Sequence, residues 1–429
     1  MRDLAFLAAM LFFVPLAFSN TFAAYLLWGW SALIAINEYL YGFMSVVQVN
    51  LTFALIALCM ITLARDPEKQ KLKWTPTGVL LALIGLQAVL SATFAFDGNR
   101  QNWELCSTFL KGLLFCIMMP MVVTSRLRIH AVVVMMVLGL SFHGAVEGAK
   151  FMASGGGHHV QGLHKFGDNN HFALVLVMIM PMLLYLLQYS TRGIVKLGLL
   201  CGLALNIAGV IGTSSRGGLV AMVLAGAWVV FSGRRKIMGL WVLLAGTVLV
   251  VALAPESWSD RMHTIQEADQ DSSFMGRVVA WKISSAIALD NPVFGGGFHA
   301  VEVAPVWTKY RDSQGFLGFV ETPTPDIAPH AAHSIYFEIA GDLGFVGLAL
   351  FLSILINTFL VRREVRRRAK LAGPAWLWAS DLADGLSASM FAYVVGAAAL
   401  SVGYLEIMYM FAMLLEVLKQ HVITGTTST

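Results

Sequence analysis

Long, uninterrupted apolar stretches recur along nearly the whole of this 429-residue chain and limit what it can fold into. Val242–Leu253, for example, is apolar on every face, whereas a strand of a membrane barrel would alternate apolar and polar residues over about 10 positions. Hydrophobic residues make up 58% of the chain and charged residues 13%, against roughly 25% charged residues in soluble globular proteins. The sequence therefore predicts an all-α polytopic membrane protein.

The apolar stretches divide the chain into three parts. Residues 1–254 supply an N-terminal transmembrane bundle of about nine or ten helices, each crossing needing about 20 apolar residues. Residues 255–334 form a large polar loop with short helices, and residues 335–429 supply the C-terminal transmembrane helices. We expect about twelve crossings; thirteen is the alternative, because the first two stretches are short. Leu4–Phe18 is interpreted as an uncleaved helix rather than a signal peptide, since only Met1-Arg2-Asp3 precedes it.

Clusters of basic residues predict the orientation. They lie in short connectors that alternate along the chain, and such connectors face the cytoplasm. This places the C-terminus inside and two polar segments, Phe151–Asn170 and Pro255–Ser334, outside. Since structureless loops beyond about 12–15 residues are usually functional, the second segment, which is rich in acids, is the first place to look for a site. The basic connectors are Arg65–Lys73, Arg126–Arg128, Arg192–Lys196, Arg234–Lys236 and Arg362–Lys370.

Two arginines fall at the predicted outer side. Arg216 lies in the turn Thr213–Gly218, between two apolar runs, where an arginine needs an anionic partner or water. It either snorkels to the lipid headgroups or binds a phosphate or pyrophosphate. Arg277 shares a helical face with Trp281, which Lys282 follows. Arg277 either binds an anion or pairs with one of the loop acids.

Histidines mark both outer segments. His330 and His333 immediately precede an apolar helix, and either is suited to be a general base, a structural residue or a metal ligand. The first outer segment carries further histidines beside Asp168 and Asn170, a pattern that fits hydrogen bonding, pH response or metal binding. Gly295–Gly297 is interpreted as a flexible turn; it lacks the lysine and hydroxyl residue of a P-loop. The histidines of the first segment are His158, His159, His164 and His171.

Three motifs follow one another along the chain. They are a Ser-Arg-Gly turn at Ser215, a Gly-Arg-x4-Trp/Lys segment from Gly276 with a following Gly-x-Gly-Phe, and a His-Ser-x3-Glu-x2-Gly-x2-Gly-x2-Gly segment from His333. In this order they resemble the O-antigen ligase and O-antigen polymerase superfamily. The segments around Gly167–Asn170 and Ala332–Glu338 are most similar to the branch of exosortase-associated O-glycosylation ligases. The residues that carry the motifs are Ser215, Arg216, Gly217, Gly276, Arg277, Trp281, Lys282, Pro292, Gly295, Gly297, Phe298, His333, Ser334, Glu338, Gly341, Gly344 and Gly347.

This resemblance implies a membrane glycosyltransferase of GT-C-like architecture, multi-pass in the bacterial inner membrane, with its active site facing the periplasm. The implied donor is a glycan on undecaprenyl pyrophosphate, and the implied acceptor is a sugar hydroxyl of lipid A–core. No metal ion, nucleotide cofactor or nucleic-acid partner is implied; the remaining partners are membrane lipids. His333 is the expected general base, and Arg216 and Arg277 are the expected pyrophosphate ligands. Arg261 is added as a further expected pyrophosphate ligand because of its position in the sequence alone.

Other residues and other functions stay open at this point. His330, Trp281, Lys282, Asp168 and Asn170 are possible accessory residues. A polymerase joining lipid-linked repeats is the alternative within the superfamily, and an exosortase-associated ligase would use another acceptor. A flippase for lipid-linked sugars is a third hypothesis, but it predicts charges in the middle of several helices, where only Lys111, Glu147 and Glu406 occur.

Overall fold

The computed structural model describes residues 2–40, 42–162, 164–232, 272–322 and 328–427, with isolated helical positions between 237 and 248. Within these residues the fold is helical and contains no strand. The sequence predictions for Arg261 and for the connector Arg234–Lys236 lie outside the described residues. The first nine helices are α1 (Arg2–Ser19), α2 (Thr21–Ile34), α3 (Val49–Leu63), α4 (Pro76–Thr93), α5 (Arg100–Val122), α6 (Arg126–Ala153), α7 (Asn169–Tyr189), α8 (Gly193–Gly212) and α9 (Arg216–Ser232).

Five further helices follow in the described part of the chain. Two belong to the predicted outer segment, and the other three return to apolar sequence. Their bounds are α10 (Ser272–Asp290), α11 (Ala304–Tyr310), α12 (Ile335–Leu371), α13 (Leu377–Gly396) and α14 (Glu406–Thr427).

Eight of the described helical segments are long and apolar enough to cross a membrane. This confirms the prediction of a polytopic α-helical membrane protein, while the total of twelve crossings stays a prediction. Shorter apolar helices lie at Phe6–Ser19, Thr21–Ile34, Val49–Leu63 and Arg216–Phe231. The eight candidate spans are Pro76–Thr93, Arg100–Val122, Arg126–Ala153, Asn169–Tyr189, Gly193–Gly212, Ile335–Leu371, Pro374–Ala399 and Glu406–Thr426.

Small residues let the central helices approach closely. A Cβ atom at Gly148 of α6 would overlap the carbonyl oxygen of Leu205 in α8, and one at Gly209 of α8 would lie 3.1 Å from Leu176 of α7. Such contacts are typical of membrane helices, which gain stability from close backbone packing rather than from exclusion of water. Helices α6, α7 and α8 therefore form a tight group whose ends are fixed relative to one another.

Helix α12 is interrupted at Gly344, where φ is 71° and ψ is −176°. The segment Pro292–Phe298 docks against this break: Gly296 N donates to Gly341 O at 2.8 Å, and Phe345 N donates to Pro292 O at 2.8 Å. The run Gly295–Gly297 is thus a packed backbone contact, not the flexible turn expected from the sequence. Gly295 has φ of 70°, and a side chain there would overlap the Asp342 carbonyl.

The described part of the 255–334 segment has a hydrophobic cluster of its own. Residues of α10, of the 3-10 turn Ala300–Glu302 and of α11 pack together with Val320 and Ala332. Helix α10 also packs closely on α12, since a Cβ atom at Gly341 would lie 3.0 Å from that of Ser284. This cluster forms a small helical layer beside the first turns of α12.

Candidate active site

His333 lies two residues before α12 in a strained backbone conformation. Its φ of 45° is in the left-handed region that non-glycine residues seldom adopt. The backbone nitrogen donates to Ser401 Oγ at 2.8 Å, which holds the residue against the start of the segment leading to α14. Nδ1 of the ring is buried and has no hydrogen-bond partner among the described residues. A strained residue with an unused ring nitrogen is the kind of group found at functional sites.

Arg277, in the second turn of α10, supplies a positive charge to the same place. Its Nε atom is buried without a partner in the described structure. Burial, and next the charge of Arg277, lower the pKa of His333 from its ordinary value of 6.5. At neutral pH the imidazole is therefore neutral, which leaves one ring nitrogen able to accept a proton.

Trp281 fixes the helix that carries Arg277 to the segment that carries His333. Its Nε1 donates to Ala332 O at 2.6 Å, and its ring stacks on Phe337 with ring centres 5.2 Å apart. It is thus a positioning residue. His330 is exposed and its ring lies edge-on to Trp307, 6.2 Å between ring centres, so it packs on the helical layer.

Asp168 and Asn170 form the N-terminus of α7. Asp168 accepts hydrogen bonds from the backbone nitrogens of Asn170 and His171, both at 2.9 Å, and so caps the helix. The charge of Asp168 acts on His333, since it opposes the lowering of the histidine pKa. Asp168 therefore has a structural role at the start of α7 and lies within electrostatic range of the site.

The turn that carries Arg216 lies beside this end of α7. Asn169 Nδ2 donates to Thr213 O at 2.8 Å, and Ser215 Oγ accepts from Gly218 N at 3.1 Å. The turn is tight, with Ser214 in the left-handed region at φ 54°. Arg216 is half-buried as the first residue of α9. The beginnings of α7 and α9 are thus held together.

Lys282 points away from this group. Its Nζ donates to Val320 O at 2.8 Å and to Thr322 Oγ1 at 3.1 Å, and the residue is only 3% exposed. Burial lowers its pKa. Consecutive helical residues face different directions, so Trp281 meets the histidine segment while Lys282 ties down the far side of the helical layer.

A cluster of a histidine and three acids beside His333 was missed in the sequence. His299 Nδ1 lies 3.1 Å from Glu302 Oε1, and its Nε2 lies 3.8 Å from Glu338 Oε1. Burial opposes protonation, but the Glu302 hydrogen bond and the charges of Asp342, Glu302 and Glu338 raise the pKa of His299 to about 9. For Glu302, burial is outweighed by the bond and charge of His299, which lower its pKa. His299 is therefore a cation at neutral pH.

The segment before α14 completes the cluster. Gly403 N donates to Glu338 Oε2 at 2.8 Å, and Tyr404 OH donates to Asp342 Oδ2 at 2.9 Å. Glu338 and Asp342 are four residues apart on α12, so they share a helical face. The sequence pointed to Glu338 as a motif residue, and two acids in the first turns of an apolar helix call for partners, but neither signal identified His299.

The whole arrangement can hold anions and move a proton. It combines the neutral His333, the charge of Arg277 that acts on it, and a histidinium, His299, that shares Glu302 with it as an electrostatic neighbour. A second arginine, Arg216, lies at the start of α9. In the part of the chain that the structure describes, no group of three or more His, Cys, Asp or Glu side chains is arranged to hold a metal ion. The residues suited to an anionic ligand are the guanidinium groups, which bind phosphate oxygens bidentately.

Fold and site together define a multi-pass helical membrane protein with a cationic, histidine-containing site at one end of its bundle. Residues 201–352 match the family model described as O-antigen ligase, and residues 1–191 match a family of unknown function, DUF5935. The second half of the chain thus carries a segment of the O-antigen ligase type, and that segment contains Arg216, Arg277, His299 and His333. The match supports a transferase of the ligase and polymerase type. No curated protein matches the chain.

Proposed function

We propose that this protein transfers a glycan from undecaprenyl pyrophosphate to a sugar hydroxyl of lipid A–core at the periplasmic face of the inner membrane. The observation that carries the proposal is the pairing of His333 with Arg277. Each has a buried nitrogen without a partner among the described residues, and the arginine charge helps to keep the histidine neutral. A neutral base beside a phosphate-binding cation suits transfer from a pyrophosphate donor.

In the proposed step His333 takes the proton of the acceptor hydroxyl. The oxygen then forms a bond to the anomeric carbon of the donor sugar, while the bond between that carbon and the pyrophosphate oxygen breaks. The electron pair leaves with the pyrophosphate, and a single in-line displacement inverts the anomeric configuration. General-base assistance of this kind is typically worth about 10²–10⁴-fold in rate.

The leaving pyrophosphate gains negative charge, and the arginines stabilise that charge. Arg277 and Arg216 are the proposed ligands, and Arg261 is included on its position in the sequence alone. Guanidinium groups remain charged at all physiological pH values and offer paired donors, so they supply the electrostatic stabilisation that a metal ion provides in other phosphate sites. The proposed reaction therefore requires no metal ion or nucleotide.

The position of the site relative to the basic connectors supports a periplasmic location. His333 precedes α12, and the basic segment Arg362–Lys370 ends the same helix. The two therefore lie at opposite ends of a candidate membrane span. Since basic connectors face the cytoplasm, the histidine end faces the periplasm.

The test is transfer by purified protein in detergent, with undecaprenyl-pyrophosphate glycan as donor, lipid A–core as acceptor and EDTA present. We expect glycosylated lipid A–core from the wild type and loss of product from His333→Ala, Arg277→Ala and Arg216→Ala. Arg100→Ala is the matched control, because this arginine is 92% exposed and pairs with Glu104 on α5. Full activity in all three site variants contradicts the proposed roles, and dependence on added metal contradicts the mechanism.

The same assay separates the alternative functions. A polymerase produces longer lipid-linked glycan instead of glycosylated lipid A–core, and a strain lacking it retains core capped with one repeat. An exosortase-associated ligase leaves lipid A–core unmodified and needs another acceptor. A flippase forms no new glycosidic bond in detergent, where there is no second compartment.

A further inference from the structure

A polar cavity lies between α6, α7 and the segment that joins them, outside the Arg277–His333 site. It has a volume of about 160 Å³. A single buried water needs roughly 10–15 Å³, so this cavity takes a ligand much larger than one water molecule or one bare ion. Its lining combines aromatic rings with carboxylate, imidazole and amide groups: Tyr39, His143, Glu147, His158, His159, Gln161, Gly162 and Phe172.

Glu147 is held in a network at one wall of this cavity. Its Oε1 accepts from Lys150 Nζ at 2.6 Å, and its Oε2 lies 2.8 Å from His158 Nε2. The residue lies in a candidate membrane span, six positions before the end of α6. An ionisable side chain at such a position is costly and marks a functional site more often than a packing site. A carboxylate has about four acceptor positions, so two remain for a ligand.

Tyr39 and His143 line the cavity next to Glu147, since His143 lies four residues before Glu147 on the same face of α6. The Tyr39 hydroxyl lies 2.7 Å from His143 Nδ1, and His143 Nε2 lies 3.2 Å from Leu33 O. A carbonyl oxygen only accepts, so Nε2 of the neutral ring carries the proton and Nδ1 accepts from the tyrosine. The polar atoms of this wall are thereby fixed in direction. Nearer the surface, His159 and Gln161 are exposed and offer further donors and acceptors.

This lining suits a neutral ligand rich in hydroxyl groups. The cavity lacks an arginine, and its lysine-paired carboxylate disfavours an anion. In the described residues no set of three histidine or acidic side chains, including those of this cavity, has the arrangement of a metal site. Aromatic faces with a few directed polar groups are characteristic of small-molecule sites, and hydroxyl groups both donate to Glu147 and accept from imidazole or amide nitrogen.

The cavity adjoins the candidate active site through the first turn of α7. Phe172 lines the cavity, whereas Asp168, four residues earlier, is within electrostatic range of His333. Four residues of helix span about 6 Å. The intervening chain is fixed, since Val160 N donates to Gly212 O at 3.0 Å next to the Arg216 turn. The cavity is thus one helical turn from Asp168, whose charge acts on His333.

We propose that this cavity is a saccharide subsite that binds a sugar residue of a glycan whose neighbouring unit occupies the active site. The inference rests on the proposed function, because it takes the reacting molecules to be glycans. The sugar comes from either the donor glycan or the acceptor glycan. It is held by hydrogen bonds to Glu147, His158 and Gln161 and by contact with the Tyr39 ring.

The first test measures binding without transfer. Oligosaccharides released by mild acid from the host's lipid-linked glycans and from its lipid A–core serve as separate probes, observed by saturation-transfer NMR with the full-length protein in detergent. We expect one probe to bind the wild type, and its Kd to rise about tenfold in Glu147→Gln, the effect of losing a charge-assisted hydrogen bond. Glu104→Gln, which breaks an exposed pair on α5, is the matched control and leaves Kd unchanged.

The second test uses transfer kinetics with donors that carry one sugar or several. If the sugar belongs to the donor, Glu147→Gln raises KM for the longer donor about tenfold and leaves KM for the one-sugar donor unchanged; if it belongs to the acceptor, only the acceptor KM rises. Equal Kd and KM values in the wild type and in both Glu147→Gln and His158→Ala overturn the subsite. Binding of a probe by a protein that transfers nothing contradicts the proposed function and retains the subsite.

Discussion

His299 Nδ1 lies 3.1 Å from Oε1 of Glu302, and this contact keeps a positive charge beside the His333 site. The pKa of His299, about 9, exceeds its ordinary value of 6.5. Protonation therefore stabilises the folded protein fully below pH 6.5, and this contribution is lost as the pH rises through about 9. We expect the melting temperature to fall between these pH values.

The pH-dependent loss of stability is measured by thermal unfolding of the protein in detergent. His299→Gln removes the titrating group and is expected to flatten the curve between pH 6.5 and 9, with a lower melting temperature at pH 6.5. His159→Gln, an exposed histidine on another segment, is the control and keeps the wild-type slope. A slope in His299→Gln equal to that of the wild type contradicts the assignment.

Replacement of His333 by alanine tests the general base. We expect kcat to fall by about 10²–10⁴-fold with little change in donor KM, because the base acts on the acceptor proton. His330→Ala is the matched control: its ring is exposed and packs on Trp307, and its kcat should stay close to that of the wild type. The prediction is wrong if the two alanine variants lose activity to the same degree.

The Arg277 charge is expected to set the acid limb of the pH–rate profile. Because burial and this charge lower the pKa of His333, the acid limb of kcat/KM in the wild type should lie below pH 6.5. Arg277→Gln removes the charge and should move the limb to higher pH, in addition to reducing the rate. Arg277→Lys keeps the charge and should keep the limb in place, even though it loses the bidentate contact.

This profile is measured as kcat/KM against pH with saturating acceptor. A limb that stays in place in Arg277→Gln shows that the arginine does not act on the titrating group. A limb that shifts equally in the glutamine and lysine variants points to packing rather than charge.

Gly295→Ala tests the contact between the glycine run and the broken helix. At φ of 70° an alanine costs about 1–2 kcal/mol, and its Cβ would overlap the Asp342 carbonyl as well. We expect a lower melting temperature and little folded protein. Gly98→Ala is the control, since nothing lies within 4 Å of a Cβ atom there; similar melting temperatures for the two variants would contradict the packing.

The sequence predicted the parts of the site that are local. Apolar stretches indicated a helical membrane protein. The four-residue spacing of Arg277 and Trp281 indicated that the two side chains share one face of a helix. The contact between His299 and Glu338 could not be predicted, because Glu338 lies on a later helix and is brought near by the docking of Gly296 on α12. Helical spacing separates Lys282 from Trp281, but the burial of Lys282 against Val320 and Thr322 depends on how the loop folds and was not predictable from the sequence.

The break in α12 has a consequence for chimeric proteins. Hydrogen bonds that a continuous helix would make within itself are made instead with Pro292–Phe298. Exchanging the 255–334 segment between relatives to change substrate preference would thus leave a membrane helix with mismatched backbone partners at its break. A graft that retains folding must carry the glycine run and the first turns of α12 as one piece.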